Sequence, residues 1–153
     1  MADMDRLMEI YAFAREQMKK TGNPNQWRDT YPSRELLAQD MAQNQLYVLT
    51  EGDVILGAFV YFAGIEPTYA RIEGAWLSDE PYGVIHRVAS AGIVHGFVRI
   101  ITDWCAGQTG NLRIDTHEEN VVMQRALARI GFTKCGTIYL ESGAPRWAYQ
   151  RIK

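Results

Sequence analysis

Cysteine is scarce here: only Cys105 and Cys135 occur among 153 residues. They lack CxxC spacing, so no zinc site or structural disulfide is expected, and both are read as reduced core thiols. Neither sign of charge dominates. Sixteen Lys and Arg against eighteen Asp and Glu give a formal net charge of -2, without the basic excess that marks a nucleic-acid partner. No apolar run approaches the roughly 18 residues of a membrane span. The start, "MADMDRLMEIYAFAREQ", carries acids early and has no separate apolar core, so it does not read as a secretory signal. Repeats, low-complexity tracts and linkers are also missing. These absences leave a cytoplasmic protein with no nucleic-acid and no membrane partner. Its length and its 47% apolar content suit one packed core, with residues 1–153 as a single domain.

What is present has a readable order. Leu7, Ile10, Tyr11, Ala14 and Met18 recur at helical spacing behind Asp3 and Asp5, which can cap a first helix. Gly22 and Pro24 stop it. Ser33 caps a second helix with Leu36, Leu37, Asp40 and Met41 on one face. "QLYVLTEGDVILGAFVYFAG" reads as a hairpin around Glu51-Gly52-Asp53. "RIEGAWL" and "YGVIHRVAS" read as two neighbouring strands. Ile93, Phe97, Ile100, Ile101 and Trp104 trace a third helix. "NLRIDT" is a strand, and Val122, Met123, Ala126, Leu127 and Ile130 trace a fourth helix closed by Gly131. "FTKCGTIYL" and "RWAYQRI" end the chain as strands. The result is a mixed α/β sheet flanked by about four helices.

This order, with "YGVIHRVASAGIVHGFVRIITDWC" and "RIDTHEENVVMQRALARIGFTKCGTIYL", resembles the GNAT superfamily of acyl-CoA N-acyltransferases over nearly the whole chain. The resemblance implies a mostly antiparallel twisted sheet with one splayed parallel pair. It also implies acetyl-CoA as co-substrate, no metal, a primary amine of a small molecule or peptide as acceptor, and a homodimer by analogy alone. Three departures stand out. The family's cofactor loop runs Gln or Arg, two residues, Gly, one residue, then Gly or Ala, whereas this chain has Ala89, Gly92 and Val94. Leu127 occupies the place of a tyrosine that protonates the leaving thiolate. The chain also begins at the first helix, leaving no room for the edge strand with which relatives normally start.

The expected cofactor residues run from the fourth strand into the third helix: Val88, Ala89, Ser90, Gly92, Ile93, Val94, His95 and Gly96. Unpaired amides at a helix start form an anion nest, and His95 can add a donor. Gly92 and Gly96 serve close helix–sheet packing equally well. Family resemblance implies a bulge near Val88–Ser90, whose freed main-chain groups can bond the pantetheine arm. Asn120 matches an asparagine reaching that arm, and it also suits a helix N-cap.

Attack by an amine needs a neutral nitrogen, hence a base. His86 is the first candidate, with strand alternation placing it on one face with Val88 and Arg87 on the other. Glu73 is the second, or else an ion-pair partner of Arg71 or Arg87. His117 can be oriented by Asp115, two residues before it. Tyr139, with Tyr149 behind it, is the substitute for the missing acid, or a core aromatic. Trp27, Tyr31, Trp76 and Asp115 are the candidate acceptor contacts, the aromatics serving equally as loop anchors. Metal binding by Asp115, His117 and Glu119 lacks a distant fourth partner. The competing functional reading is a non-catalytic acyl-CoA-binding or regulatory module on the same fold.

Overall fold

A computed structural model describes residues 2–152, with side chains from residue 4 onward. Helix α1 spans Ala2–Lys20 and α2 Arg34–Ala42. Strands β1 (Leu46–Glu51), β2 (Val54–Ala63), β3 (Glu73–Gly74) and β4 (Gly83–Ser90) follow. Then come α3 (Phe97–Gln108), β5 (Asn111–Thr116), α4 (Val121–Arg129), β6 (Thr133–Tyr139) and β7 (Pro145–Ile152). The strand order is β1-β2-β4-β5-β7-β6-β3. Every neighbouring pair is antiparallel except β4–β5. Among the described residues, no helix is long and apolar enough to cross a membrane.

Each sheet face is covered for a reason visible in the side chains. Met4, Leu7, Ile10, Tyr11 and Ala14 form one stripe of α1 and bury against Ile55 and Ala58 of β2 and Ala89 of β4. On the opposite face, Phe97, Ile101 and Cys105 of α3 and Leu127 of α4 close over Ile85, Leu112 and Ile114. Ser33 caps α2 as expected, its hydroxyl accepting from Leu36 N at 3.1 Å. Asp5 instead reaches Arg34 of α2, and the side chain of Asp3 lies outside the described residues.

Two expectations need correction. The third helix begins at Phe97, because Gly96 takes the left-handed conformation (φ 76°) and stops any earlier turn. Its buried face is therefore Phe97, Ile101 and Cys105, whereas Ile93, Ile100 and Trp104 are exposed. "RIEGAWL" supplies only the two-residue β3, which pairs with β6 at the far sheet edge and not with β4. The rest of the β2–β4 connection is held by side chains. Buried Gln150 accepts from Leu77 N at 2.6 Å and donates to Ser78 O at 3.1 Å. Arg113 donates to Ser78 O and lies between the Trp76 and Tyr82 rings, 4.0 and 3.9 Å from their centroids.

The functional end of the sheet rests on β4. Ala58 pairs with Ala89 and Val60 with His86, so Arg87 and Val88 together oppose Phe59. A bulge is present at Arg87–Val88, with Arg87 at φ 50°, slightly before the expected Val88–Ser90, because Ala89 and Ser90 pair regularly with Ala58 and Gly57. The extra residue breaks alternation. His86 and Arg87 consequently face the α1–α2 side together, where they meet Glu66 and Asp40, while Val88 packs with the α3–α4 core. The expectation that Arg87 would oppose His86 is thereby overturned.

Two contacts clamp the bulge. Tyr11 donates its hydroxyl to Arg87 O at 2.7 Å. Arg87 forms a two-pronged bond to Asp40, at 2.8 and 2.7 Å. Asp40 is only 3% exposed, so removing it strands a cation that has lost its hydration. Asp40→Ala should cost about 3 kcal/mol in urea unfolding; a loss below about 0.5 kcal/mol, the ordinary effect of a surface change, would contradict this clamp.

Candidate functional site

β4 and β5 pair only at Gly83–Leu112, Val84–Arg113 and Ile85–Ile114. Beyond these positions the strands separate, and that edge of β4 carries no ladder partner. A cleft of about 500 Å3 opens there. Its wall on the α1–α2 side includes Gln26, Trp27 and Tyr31, its sheet wall His86, Val88 and Ile114, and its far wall Asn120 and Arg146. Met123 of α4 also lines it, so the opening runs through the gap toward the second helical layer.

His86 lies in the cleft between two carboxylates. Its Nε2 stands 3.1 Å from Glu66 Oε1. An ionised carboxylate can only accept, so Nε2 carries the proton and Nδ1 keeps its lone pair when the ring is neutral. Nδ1 lies 3.9 Å from Asp115 Oδ2, too far for a direct bond and suited to one shared donor between them. Tyr69 donates to the same Asp115 oxygen at 2.7 Å, and burial raises its hydroxyl well above the ordinary range. The His86 hydrogen bond holds the Glu66 carboxyl below its ordinary range, outweighing the opposing effect of burial.

Glu66 and Tyr69 escaped the sequence reading because no periodicity marks the β2–β4 connection. Glu66 lines the cleft and Tyr69 meets it through Asp115, on a connection whose later part Arg113 and Gln150 tie to β5 and β7. Gln26 was missed as well. Its Oε1 accepts from Asn120 Nδ2 at 2.9 Å, Thr116 Oγ1 at 3.3 Å and Asn23 Nδ2 at 2.9 Å, tying the α1–α2 loop across the cleft mouth. Arg146 did leave a signal. Period-two alternation puts it on one face of β7 with Ala148 and Gln150, a face with two polar residues where an inner strand should be apolar.

The other sequence candidates are distributed as follows. Trp27 is buried against Tyr11 and Tyr31, and Tyr31 accepts from Arg87 Nη1 at 3.0 Å; both line the cleft. Asn120 makes the N-cap contact, Oδ1 accepting from Met123 N at 3.0 Å. The Asp115–His117 pair does not form, because β5 ends at Thr116 and alternation ends with it. His117 Nδ1 instead accepts from Glu119 N at 3.0 Å. Burial, then the Arg146 charge, hold its ring below the ordinary histidine range. Glu73 and Tyr139 bond to each other on β3 and β6, at an exposed edge beyond β5 and β7. Neither lines the cleft. Trp76 stacks on Arg113 and donates to Tyr69 O at 3.0 Å, a structural position behind the cleft. Leu127 is fully buried in the α3–α4 core and provides no hydroxyl.

A second hollow, of about 600 Å3, lies at the start of α3. Ser90, Val94, His95 and Gly96 line it, with Arg99 of α3 and Arg129 of α4, neither noticed in the sequence. The first turn of α3 contains no acid. Helix-start amides and three basic side chains suit a polyanion. Ala89 is buried under α1, outside both hollows, and Ile93 is exposed on the loop. Gly92 has φ 77° and meets the Phe13 ring of α1, where a Cβ would lie 2.9 Å away, a helix–loop contact in place of the expected helix–sheet packing.

No protein-family model matches the chain, and no curated protein matches it. Solved structures do. An acetyltransferase of the GNAT family from Streptococcus agalactiae is 31% identical, with a TM-score of 0.88, over 99% of this chain and 91% of that one. A ribosomal-protein-alanine N-acetyltransferase from Brucella melitensis is 16% identical, TM-score 0.63, over 99% and 95%. An aminoglycoside acetyltransferase in complex with coenzyme A and kanamycin is 15% identical, TM-score 0.61, over 98% and 91%. The last two share the fold alone.

The lowered Glu66 carboxyl has a consequence for stability. A depressed folded value means that its contribution is present above the unfolded carboxylate range, about pH 4, and is lost as pH falls through the folded value. Glu66→Gln should therefore lower the melting temperature at pH 7, with the difference from the native chain shrinking below about pH 4. A constant difference across pH would show that the His86–Glu66 contact is not charge-assisted.

Proposed function

The chain belongs to the GNAT family of acyltransferases, and on that premise we propose that it transfers an acetyl group from acetyl-CoA to a primary amine of a small molecule or peptide. The observation that carries this reading is the separation of β4 from β5 beyond Ile85 and Ile114. Beside that open strand edge lie a cleft that carries His86, Glu66 and Asp115 and a hollow with three basic side chains, which supports the reading.

The residues present fit acyl-CoA. The hollow beside α3, with His95, Arg99 and Arg129, suits its phosphates. The free edge of β4 after the bulge suits its amide-bearing arm, which hydrogen-bonds as a strand does. Bound there, acyl-CoA supplies an activated thioester carbonyl. His86, held by Glu66, takes a proton from the attacking amine through Nδ1, directly or through one water shared with Asp115. Asp115, kept in place by Tyr69, stabilises the amine while it is cationic. As the C–N bond forms and the C–S bond breaks, the sulfur leaves as thiolate. An ordinary thiol ionises near pH 8.5, so departure without a hydroxyl donor at Leu127 carries a modest barrier.

Leu127 is also the observation that favours the second reading, a non-catalytic acyl-CoA-binding module. Calorimetry with acetyl-CoA, followed by thiol release across an amine panel, separates them. Failure to bind at high micromolar concentration would overturn both readings, and binding without thiol release would favour the module. For the enzyme, His86→Ala should lower kcat about 10²- to 10⁴-fold while changing acetyl-CoA affinity little. Equal losses in both would contradict the base role. Glu73→Gln, at the far sheet edge, should leave turnover near native.

A further inference from the structure

The cleft contains an unmatched buried cation. Arg146 is 8% exposed and lines the cleft with Arg28, Arg87, Glu66 and Asp115. The two acids are already engaged, Glu66 by His86 and Thr68 and Asp115 by Tyr69. Arg87 is matched by Asp40. Arg146 has main-chain partners only: Nη1 donates to Pro145 O at 2.8 Å and Nη2 to Gln26 O at 3.2 Å. No carboxylate among the described residues forms an ion pair with it. A guanidinium offers five N–H donors and does not deprotonate in proteins, so three donors have no protein partner, and the charge is met only at a distance by Asp115. Buried cations are normally paired. Burial pulls Arg146 below the ordinary guanidinium range, outweighing the opposing charge of Asp115, in keeping with a cation that has no paired acid. Arg28, exposed at the cleft mouth with φ 56°, likewise lacks an ion-pair partner among the described residues.

We propose that the acceptor is an amine that also carries a carboxylate, gripped by Arg146, with Arg28 assisting at the mouth. The inference rests on the N-acyltransfer reading and names its substrate class. A planar guanidinium fork matches a carboxylate in two parallel bonds. The His86, Glu66 and Asp115 group suits the ammonium end, so the cleft is polarised for a zwitterion. Polyamines and amino sugars, which are cationic and carry no carboxylate, would leave Arg146 unpaired.

The test compares α-, β- and γ-amino acids with their carboxamides as acceptors, in the full chain and in Arg146→Gln. The native protein should prefer the acid by roughly ten- to a hundredfold in kcat/KM, and Arg146→Gln should erase the gap by bringing the acid down to the amide. Should that variant fail to fold, Arg146→Lys keeps the charge and loses the fork, and should narrow the gap. Amides used as well as acids, or a gap that survives at position 146, would overturn the proposal. So would an aminoalkyl phosphate preferred over every acid. If acetyl-CoA binds but no amine releases thiol, the transfer reading falls and melting temperature decides the anion site. Acids but not amides should then stabilise the native protein and not Arg146→Gln; no such difference would sink it.

Discussion

The ladder between β4 and β5 stops after Ile85 and Ile114, and the cleft exists because it stops there. Continuous pairing would have filled the space with backbone. The bulge turns β4 away from its neighbour, and a bulge by itself is a local loss of hydrogen bonds. Here the loss is offset by Tyr11 on the Arg87 carbonyl and by Asp40 on the Arg87 side chain. One helix from each end of the opening segment therefore holds the distortion on which the site depends.

The same distortion decides where the chemistry sits. With two consecutive side chains on one face, Arg87 can serve as the anchor while His86 stays available to the cleft. Glu66 and Tyr69 then complete the surroundings of His86 from a connection with little regular structure of its own. That connection is anchored at Leu77 and Ser78, whose backbone groups bond to Gln150 and Arg113, buried polar residues of the inner strands. Buried polar groups that bond loop backbone to sheet thus specify the site more closely than the apolar core does.

The order of elements was legible in the sequence because each long element carried its own period: α1 through Leu7, Ile10, Tyr11 and Ala14, the first hairpin through its turn residues, α4 through Asn120 and Gly131. Errors arose where tertiary contacts outweighed local pattern. "RIEGAWL" has strand composition, yet Trp76 and Leu77 are committed to Tyr69 and Gln150. Ile93 matched a helical face that Gly96 interrupts. Glu73 looked like a neighbour of His86 only because β3 was read as pairing with β4. Asp115 did find a histidine, but it was the distant His86 and not the adjacent His117.

By itself the sequence determined a mixed sheet flanked by helices and the positions of most helices and strands, and it named His86, Asp115, Trp27 and Tyr31 among a longer set of site candidates. These follow from periodicity and turn chemistry, which act over a few residues. Tertiary structure alone decided that His86 has Glu66 as its partner, that Glu73 and Tyr139 belong to the far edge, and that Arg146 is buried without a matching acid. Such facts depend on which distant segments share a low-dielectric space, where an unpaired charge is costly and a single added residue in a strand changes the face it presents.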